Sequence, residues 1–212
     1  MGMSALGRLL GLVVLLVTLC IGLVVAFAIT AIRPQALLAG IVISCTTVIL
    51  VMIGTIVVSR PGWILWLALP ALALTGLGAV MLAEDLGVSR SGEPTEVVVV
   101  EHTVDVDSSL DSSSDRHRKA YTHTYELERT DGSPVEKPII YRGEDGYDDF
   151  DTGDTITALV DPEGEAPTEP ADSVNVGADL AILIVGFIGV LGVYGMSSLL
   201  LFLKPPTARD AR

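Results

Sequence analysis

Four long apolar runs divide the chain, and a stretch of alternating residues separates the third run from the fourth. No charged residue occurs from Leu9 to Ile32, Pro34 to Ser59, Pro61 to Ala83, or Leu180 to Leu203. Each run exceeds the ~20 residues a helix needs to cross ~30 Å of hydrocarbon. Backbone amides find no water inside lipid, so such runs cross it as helices. The pattern predicts three transmembrane helices in residues 1–83, at about 9–32, 36–59 and 62–83. A fourth, at about 180–203, falls in residues 178–212 ahead of a short basic tail. The first run is too long for the ~7–15-residue core of a cleaved signal peptide. It reads as a membrane helix.

Between the third and fourth runs the period changes from helical to two. In "TEVVVVEHTVDVD", Val98, Val100, His102, Val104 and Val106 fall on one face, and Glu101, Thr103, Asp105 and Asp107 on the other. This is the pattern of a half-buried strand. "SSLDSSSDRHRKA" then reads as a Ser-rich loop, and "YTHTYELERTDGSPVEKPIIYR" as a hairpin around Asp131-Gly132. A three-residue loop, Thr130-Asp131-Gly132, would set Leu127 opposite Val135, His123 opposite Ile139 and Tyr121 opposite Tyr141. That register gathers the apolar residues on one face, whereas a one-residue slip scatters them. It calls for a type I turn with Gly132 left-handed in a G1 bulge. In "GDTITALVDPEG", Ile156, Ala158 and Val160 alternate with Thr155, Thr157 and Leu159 before Asp161-Pro162 ends the strand. The fold class predicted is an α+β membrane protein. Its four transmembrane helices carry a small all-β domain, an OB-like barrel or sandwich of four or five short strands, inserted between helices 3 and 4. That domain would span residues 84–177, with 162–177 as a Pro-rich linker.

Charge sharpens this division. Over the whole 212 residues the net charge is −13, yet residues 84–177 hold 24 Asp and Glu against 7 Lys and Arg, a net of −17. So acidic a domain repels nucleic acid and anionic headgroups and attracts cations or basic proteins. Arg8, Arg60, Lys204, Arg209 and Arg212 lie on one side of the predicted membrane, and only Arg33 and Arg90 flank the other. The positive-inside rule then puts both termini in the cytoplasm of a multi-pass plasma-membrane protein and residues 84–177 outside. Trp63 and Trp66 fit an aromatic belt at the inner interface. Both cysteines, Cys20 and Cys45, lie in predicted helices, which excludes cysteine redox chemistry outside the membrane.

Candidate chemistry is sparse. His102, His117 and His123 match no metal-ligand spacing, and His102 and His123 fall on the apolar strand faces. "DSSSDRH" at 111–117 holds Ser, Asp and His, but a triad needs a rigid scaffold that such a loop lacks. No phosphate-binding glycine loop is present, and no cofactor is implied. No helix interior carries the ionisable groups that proton and ion paths use. Pro70 would kink the third helix. The hydroxyls around Ser44-Cys45-Thr46-Thr47 are expected to bond their own helix or a neighbour. One cluster fits a ligand: Asp145, Asp148, Asp149, Asp151 and Asp154 place five carboxylates among glycines. Ca²⁺ prefers oxygen-rich, flexible loops of this kind, although the spacing is not that of an EF-hand. Divalent cations are therefore expected partners. Small residues mark helix-packing faces, namely Ala36, Gly40, Ser44, Thr47 and Gly54 on helix 2 and Gly186, Gly189, Gly192 and Gly195 on helix 4. They are expected to close the bundle and to meet other membrane proteins.

"YELERTDGSPVEKPIIYRG" followed by "GDTITALVDPEG" resembles a bacterial family of uncharacterised membrane proteins. That family pairs transmembrane helices with a small extracytoplasmic β-domain ending in a G-D-x-[VI]-x-[VA]-x-[YV]-D-P block. The likeness covers roughly residues 95–165, and the acidic insert 144–152 departs from it. The resemblance implies a location and a fold, and no reaction. The function expected is that of a non-enzymatic integral membrane protein presenting an acidic β-domain outside the cell, for binding or assembly of envelope components. The alternative is an accessory or regulatory subunit of a membrane enzyme or transporter whose active parts lie on a partner chain.

Overall fold

The computed structural model describes residues 5–59, 63–110, 117–148 and 150–203. Two compact units form, one helical (Met1–Asp85 with Asn175–Arg212) and one built on strands (Leu86–Val174). The chain is α+β, as its pattern predicts.

The helical unit contains α1 (Ala5–Ile32), α2 (Leu37–Ser59), α3 (Trp63–Ser91) and α4 (Val176–Leu203), with a 3₁₀ turn at Pro34–Ala36. All four α-helices are long and apolar enough to cross a membrane. Three helices overrun the apolar runs that predict them, α1 beginning at Ala5, ahead of Arg8. α3 continues through Glu84 and Asp85 to Ser91, and α4 begins four residues before Leu180. Helical hydrogen bonding needs no apolar side chain, so a charge ends the lipid-compatible run without ending the helix. Pro70 lies inside α3.

Small residues set how closely these helices approach. A Cβ on Gly186 of α4 would lie 2.5 Å from the backbone nitrogen of Thr75, and one on Gly78 of α3 would lie 2.6 Å from that of Leu183. The two backbones touch there because neither glycine has a side chain. The expected stripe on α2 divides between two neighbours: Gly40, Thr47 and Gly54 face Thr30, Gly22 and Leu15 of α1, while Ser44 donates to the Gly76 carbonyl of α3 at 3.3 Å. Thr46 and Thr47 donate to the carbonyls of Val42 and Ile43 one turn back. Thr55 Oγ1 bonds Tyr194 Oη at 2.8 Å, joining α2 to α4. On α4 the glycine face is only half used. Gly186 and Gly189 pack on α3, but Gly192 and Gly195 meet nothing among the described residues where a side chain would stand.

The β unit is one antiparallel sheet of five strands in the order β3-β2-β1-β4-β5, nearly closed into a barrel. Its strands are β1 (Glu93–Leu110), β2 (His117–Arg129), β3 (Ile139–Arg142), β4 (Thr155–Val160) and β5 (Glu169–Pro170). The segment expected as a linker, 162–177, supplies β5, and buries Ala166 and Thr168 on the way. The core comprises Val97, Val99, Tyr125, Leu127, Val135, Ile139, Ala158 and Val160.

Three local features decide which side chains reach that core. Val99 pairs with Leu127 and Glu101 with Glu126, so Val100 is an extra residue in a bulge. The bulge reverses the alternation. Val97 and Val99 are fully buried, whereas Val98 and Val100, expected on the apolar face, are half-buried and exposed. After the bulge, His102 and Val104 return to the core side. At the hairpin, Gly132 has φ +81° and its N–H donates to the Arg129 carbonyl, and Val135 N–H donates to Leu127. The Thr130-Asp131-Gly132 turn is thus as expected, with Leu127 opposite Val135. Farther from the turn the pairing shifts by two residues: Tyr125 faces Ile139 and His123 faces Tyr141. Pro138 has no N–H for the ladder, so the chain leaves it at Glu136–Pro138 and rejoins two residues later. A shift of two preserves faces, which is why the apolar set still gathers. Finally, β1 and β2 extend through Ser108–Leu110 and His117–Ala120, where a loop is expected.

Candidate functional site

The β sheet brings together a group of rings that the sequence scatters over some fifty positions. His102 projects from β1, His123 and Tyr125 from β2, and Tyr141 from β3. Tyr147 and Phe150 come from the loop between β3 and β4, and pack on the cluster. The bulge at Val100 is what aims His102 at its neighbours. His102 lies flat on Tyr125, with ring centres 4.4 Å apart and planes 11° apart. Its Nε2 is 3.0 Å from Nδ1 of His123. The two imidazole centres are 5.2 Å apart and their planes differ by 21°. A centre separation so much longer than the nitrogen separation puts both nitrogens nearly on the line joining the ring centres. The rings meet edge to edge, with their nitrogen axes opposed.

The two histidines differ in surroundings. His102 is exposed, and His123 is only 6% exposed. Nε2 of His123 is buried without a hydrogen-bond partner among the described residues, and Tyr141 meets this ring edge to face at 6.0 Å. Gly146 allows the covering loop to lie this close. Its φ is +74°, and a Cβ there would lie 2.8 Å from Tyr125 Oη and 2.9 Å from His123 Nδ1. Next to it, the Tyr147 N–H donates to Tyr125 Oη at 3.0 Å. Burial first, and then the charge of Glu169, raise the Tyr147 phenol above its ordinary range despite a hydrogen bond with Ser173.

The acidic loop is arranged differently. Asp145, Asp148, Asp151 and Asp154 are all exposed, and Asp149 lies outside the described residues. Asp154 turns inward on its own loop, where Oδ2 accepts the Asp151 N–H at 2.9 Å. The same turn extends the ladder, since Gly153 N–H donates to Val99 and Val99 N–H donates to Asp154. Among the described residues no three His, Cys, Asp or Glu side chains converge on a point that holds a metal ion. "DSSSDRH" also lies largely outside them, with His117 opening β2.

Asp161 has a structural task. One oxygen accepts the Glu163 N–H and the other those of Glu165 and Ala166, which holds its carboxyl below the usual range. Lys137 donates to the Glu165 and Ala166 carbonyls at 2.8 and 3.3 Å, fastening the hairpin to the approach of β5. A cavity of about 210 Å³ lies here, lined by Arg129, Lys137 and Asp161 among others. It is smaller than the ~300–1,000 Å³ of ordinary ligand pockets, and two of its polar groups already serve the fold.

In the helical unit the polar flanks of α3 and α4 meet. Asp179 is 4% exposed, its carboxyl faces that of Asp85, and its Oδ2 has no partner. Asp85 Oδ2 accepts the Asn175 N–H at 2.6 Å. The paired histidines and the facing carboxyls both escape sequence reasoning. Each pair is far apart in sequence, and no spacing rule announces it. Comparison with family models, curated proteins and solved structures finds no match for this chain.

Proposed function

We propose that this chain is a non-enzymatic integral membrane protein that presents its acidic β unit outside the cell, for binding or assembly of envelope components. In this reading both termini are cytoplasmic, as the basic flanks require. One observation carries it. Beyond Tyr121 and Val106 the β1–β2 pair runs on as a two-stranded arm, because β4 pairs with β1 only from Glu93 to Val98, and β3 with β2 only from Thr122 to Tyr125. At the base of that arm, Val104 and Val106 are 43% and 50% exposed on one face. Asp105 and Asp107 occupy the other. Strand edges left unpaired among the described residues, with an exposed apolar face at the arm's base, suit the docking of another strand or surface.

The test places a photo-crosslinking residue at Val104 or Glu163 in intact cells. Discrete products from 104 and none from 163 support the reading; equal or absent products at both sites refute it. Orientation has its own test. A cysteine at Ser113 should react with a membrane-impermeant thiol reagent in whole cells, and one at Thr207 should not. The accessory-subunit reading has an observation of its own in the open faces of Gly192 and Gly195, where a partner helix would fit closely.

A further inference from the structure

We infer that His102 and His123 form a linear two-coordinate site for a monovalent d¹⁰ metal ion, copper(I) or its analogue silver(I). The direction and number of its donors define this site, independently of the binding role proposed above. Imidazole nitrogen is a good donor to copper, zinc and nickel. The lone pair lies in the ring plane and points away from the ring centre. With the two nitrogens on the line of centres, Nε2 of His102 and Nδ1 of His123 offer their lone pairs head-on. Zinc needs three or four ligands converging near tetrahedral angles, and calcium needs ~6–8 oxygens. Neither finds such a set among the described residues. Two opposed donors suit an ion that prefers linear coordination, as monovalent d¹⁰ ions with nitrogen ligands do.

The fit requires a small movement along an available path. Two opposed metal–nitrogen bonds of about 2 Å each span about 4 Å, so the nitrogens must separate by about 1 Å. His102 is the exposed member and is held by stacking on Tyr125, so it slides in its own plane with the stack retained. His123 is fixed between Tyr141 and the loop at Gly146. The protons also balance. In the hydrogen-bonded pair one nitrogen carries hydrogen and the other accepts. With His102 as donor, the ion takes the place of that hydrogen, which moves through solvent to Nδ1 of the same ring. No electron is transferred. The surrounding negative field of the β unit concentrates cations at the exposed edge where His102 lies.

The experiment uses the full chain in detergent with Cys20→Ala and Cys45→Ala, since these thiols are soft ligands of their own. Silver nitrate is titrated in chloride-free buffer and followed by calorimetry and the tyrosine near-ultraviolet signal. The site predicts one silver ion per chain, displaced by copper(I) and unaffected by excess zinc(II). His102→Ala, at an exposed position, should abolish binding with the fold intact, and so should His123→Gln; His117→Ala should change nothing. The proposal is overturned if the parent chain takes up no silver, if His102→Ala still binds it, or if zinc(II) competes equally.

Discussion

The two units bury opposite kinds of residue. In the helical unit the large apolar side chains face outward, with Trp66 80%, Leu38 76% and Ile32 75% exposed. Between its helices lie small and hydroxylated residues, such as Gly78, Gly186, Ser44, Thr55 and Thr75, beside a few large ones such as Leu19 and Leu72. In the β unit the order reverses: valines, Leu127, Ile139 and Tyr125 turn inward, and the carboxylates turn out. The difference is the one expected of a helical unit suited to hydrocarbon and a β unit suited to water. Hydrocarbon rewards no apolar burial, so helices suited to it associate through close van der Waals contact. Water drives apolar area inward at roughly 25 cal/mol per Å². A valine is therefore uninformative about packing in one unit and decisive in the other.

The sharpest way to break this contrast is to place a charge inside the β unit. Val99→Asp buries an unpaired carboxylate at a fully enclosed position, with an expected loss of about 4–5 kcal/mol. The readout is built into the chain: four of the five tyrosines, Tyr121, Tyr125, Tyr141 and Tyr147, report the β unit, while Tyr194, Trp63 and Trp66 report the helices. The tyrosine near-ultraviolet signal should fall to the share of Tyr194 with tryptophan emission unchanged; loss of both together would show that the units do not stand separately. Second comes the glycine contact of α3 and α4. Gly186→Leu forces a side chain into the Thr75 backbone and should unfold the bundle in detergent, whereas Gly192→Leu should leave its melting temperature unaltered. Equal damage from both would dismiss the half-used glycine face. Smaller effects separate buried from outward leucines. Leu72→Ala, at 0% exposure, should cost about 2–5 kcal/mol, and Leu38→Ala close to nothing.

The smallest expected effect depends on pH. Asp161 is held below its ordinary value of 3.8 by backbone N–H groups in the folded chain. Its contribution is complete above that ordinary value, where the unfolded carboxyl is also ionised, and is lost as pH falls through the lower folded value. Asp161→Asn should therefore lower the melting temperature slightly at pH 7, and the gap from the parent should close below pH 3.8. A constant gap across pH would assign Asp161 a role without its charge.

Much of this is legible in the sequence. Runs of more than 20 apolar residues permit few alternatives to helices. The Thr130-Asp131-Gly132 turn was readable because its requirement, a residue at positive φ in a three-residue loop, is local. The assignment of β1 faces failed at Val98 and Val100, on account of one extra residue. "VVVV" at 97–100 can be alternated in either phase, and only the pairing of Val99 with Leu127 and Glu101 with Glu126 selects the bulge at Val100. The hairpin register failed beyond Leu127 because Pro138 removes a ladder donor, and spacing alone does not show how many residues the chain spends in detouring around it. The short strand β5 carries no alternation at all, being two residues, Glu169 and Pro170.

By itself, then, the sequence determined what each segment needs: hydrocarbon-length helices, a period-two acidic insert, a glycine at the hairpin turn, and small residues where helices approach. These follow from backbone hydrogen bonding and side-chain size acting within a few residues. Tertiary structure alone decided which residues meet. It brought His102 to His123 through the bulge, Asp179 to Asp85 across two helix ends, and Lys137 to the carbonyls that hold β5. Such meetings join positions 21 to 94 residues apart, and each depends on a register that one inserted or skipped residue resets. Local preference does not encode that register. The packing of the whole sheet or bundle selects it.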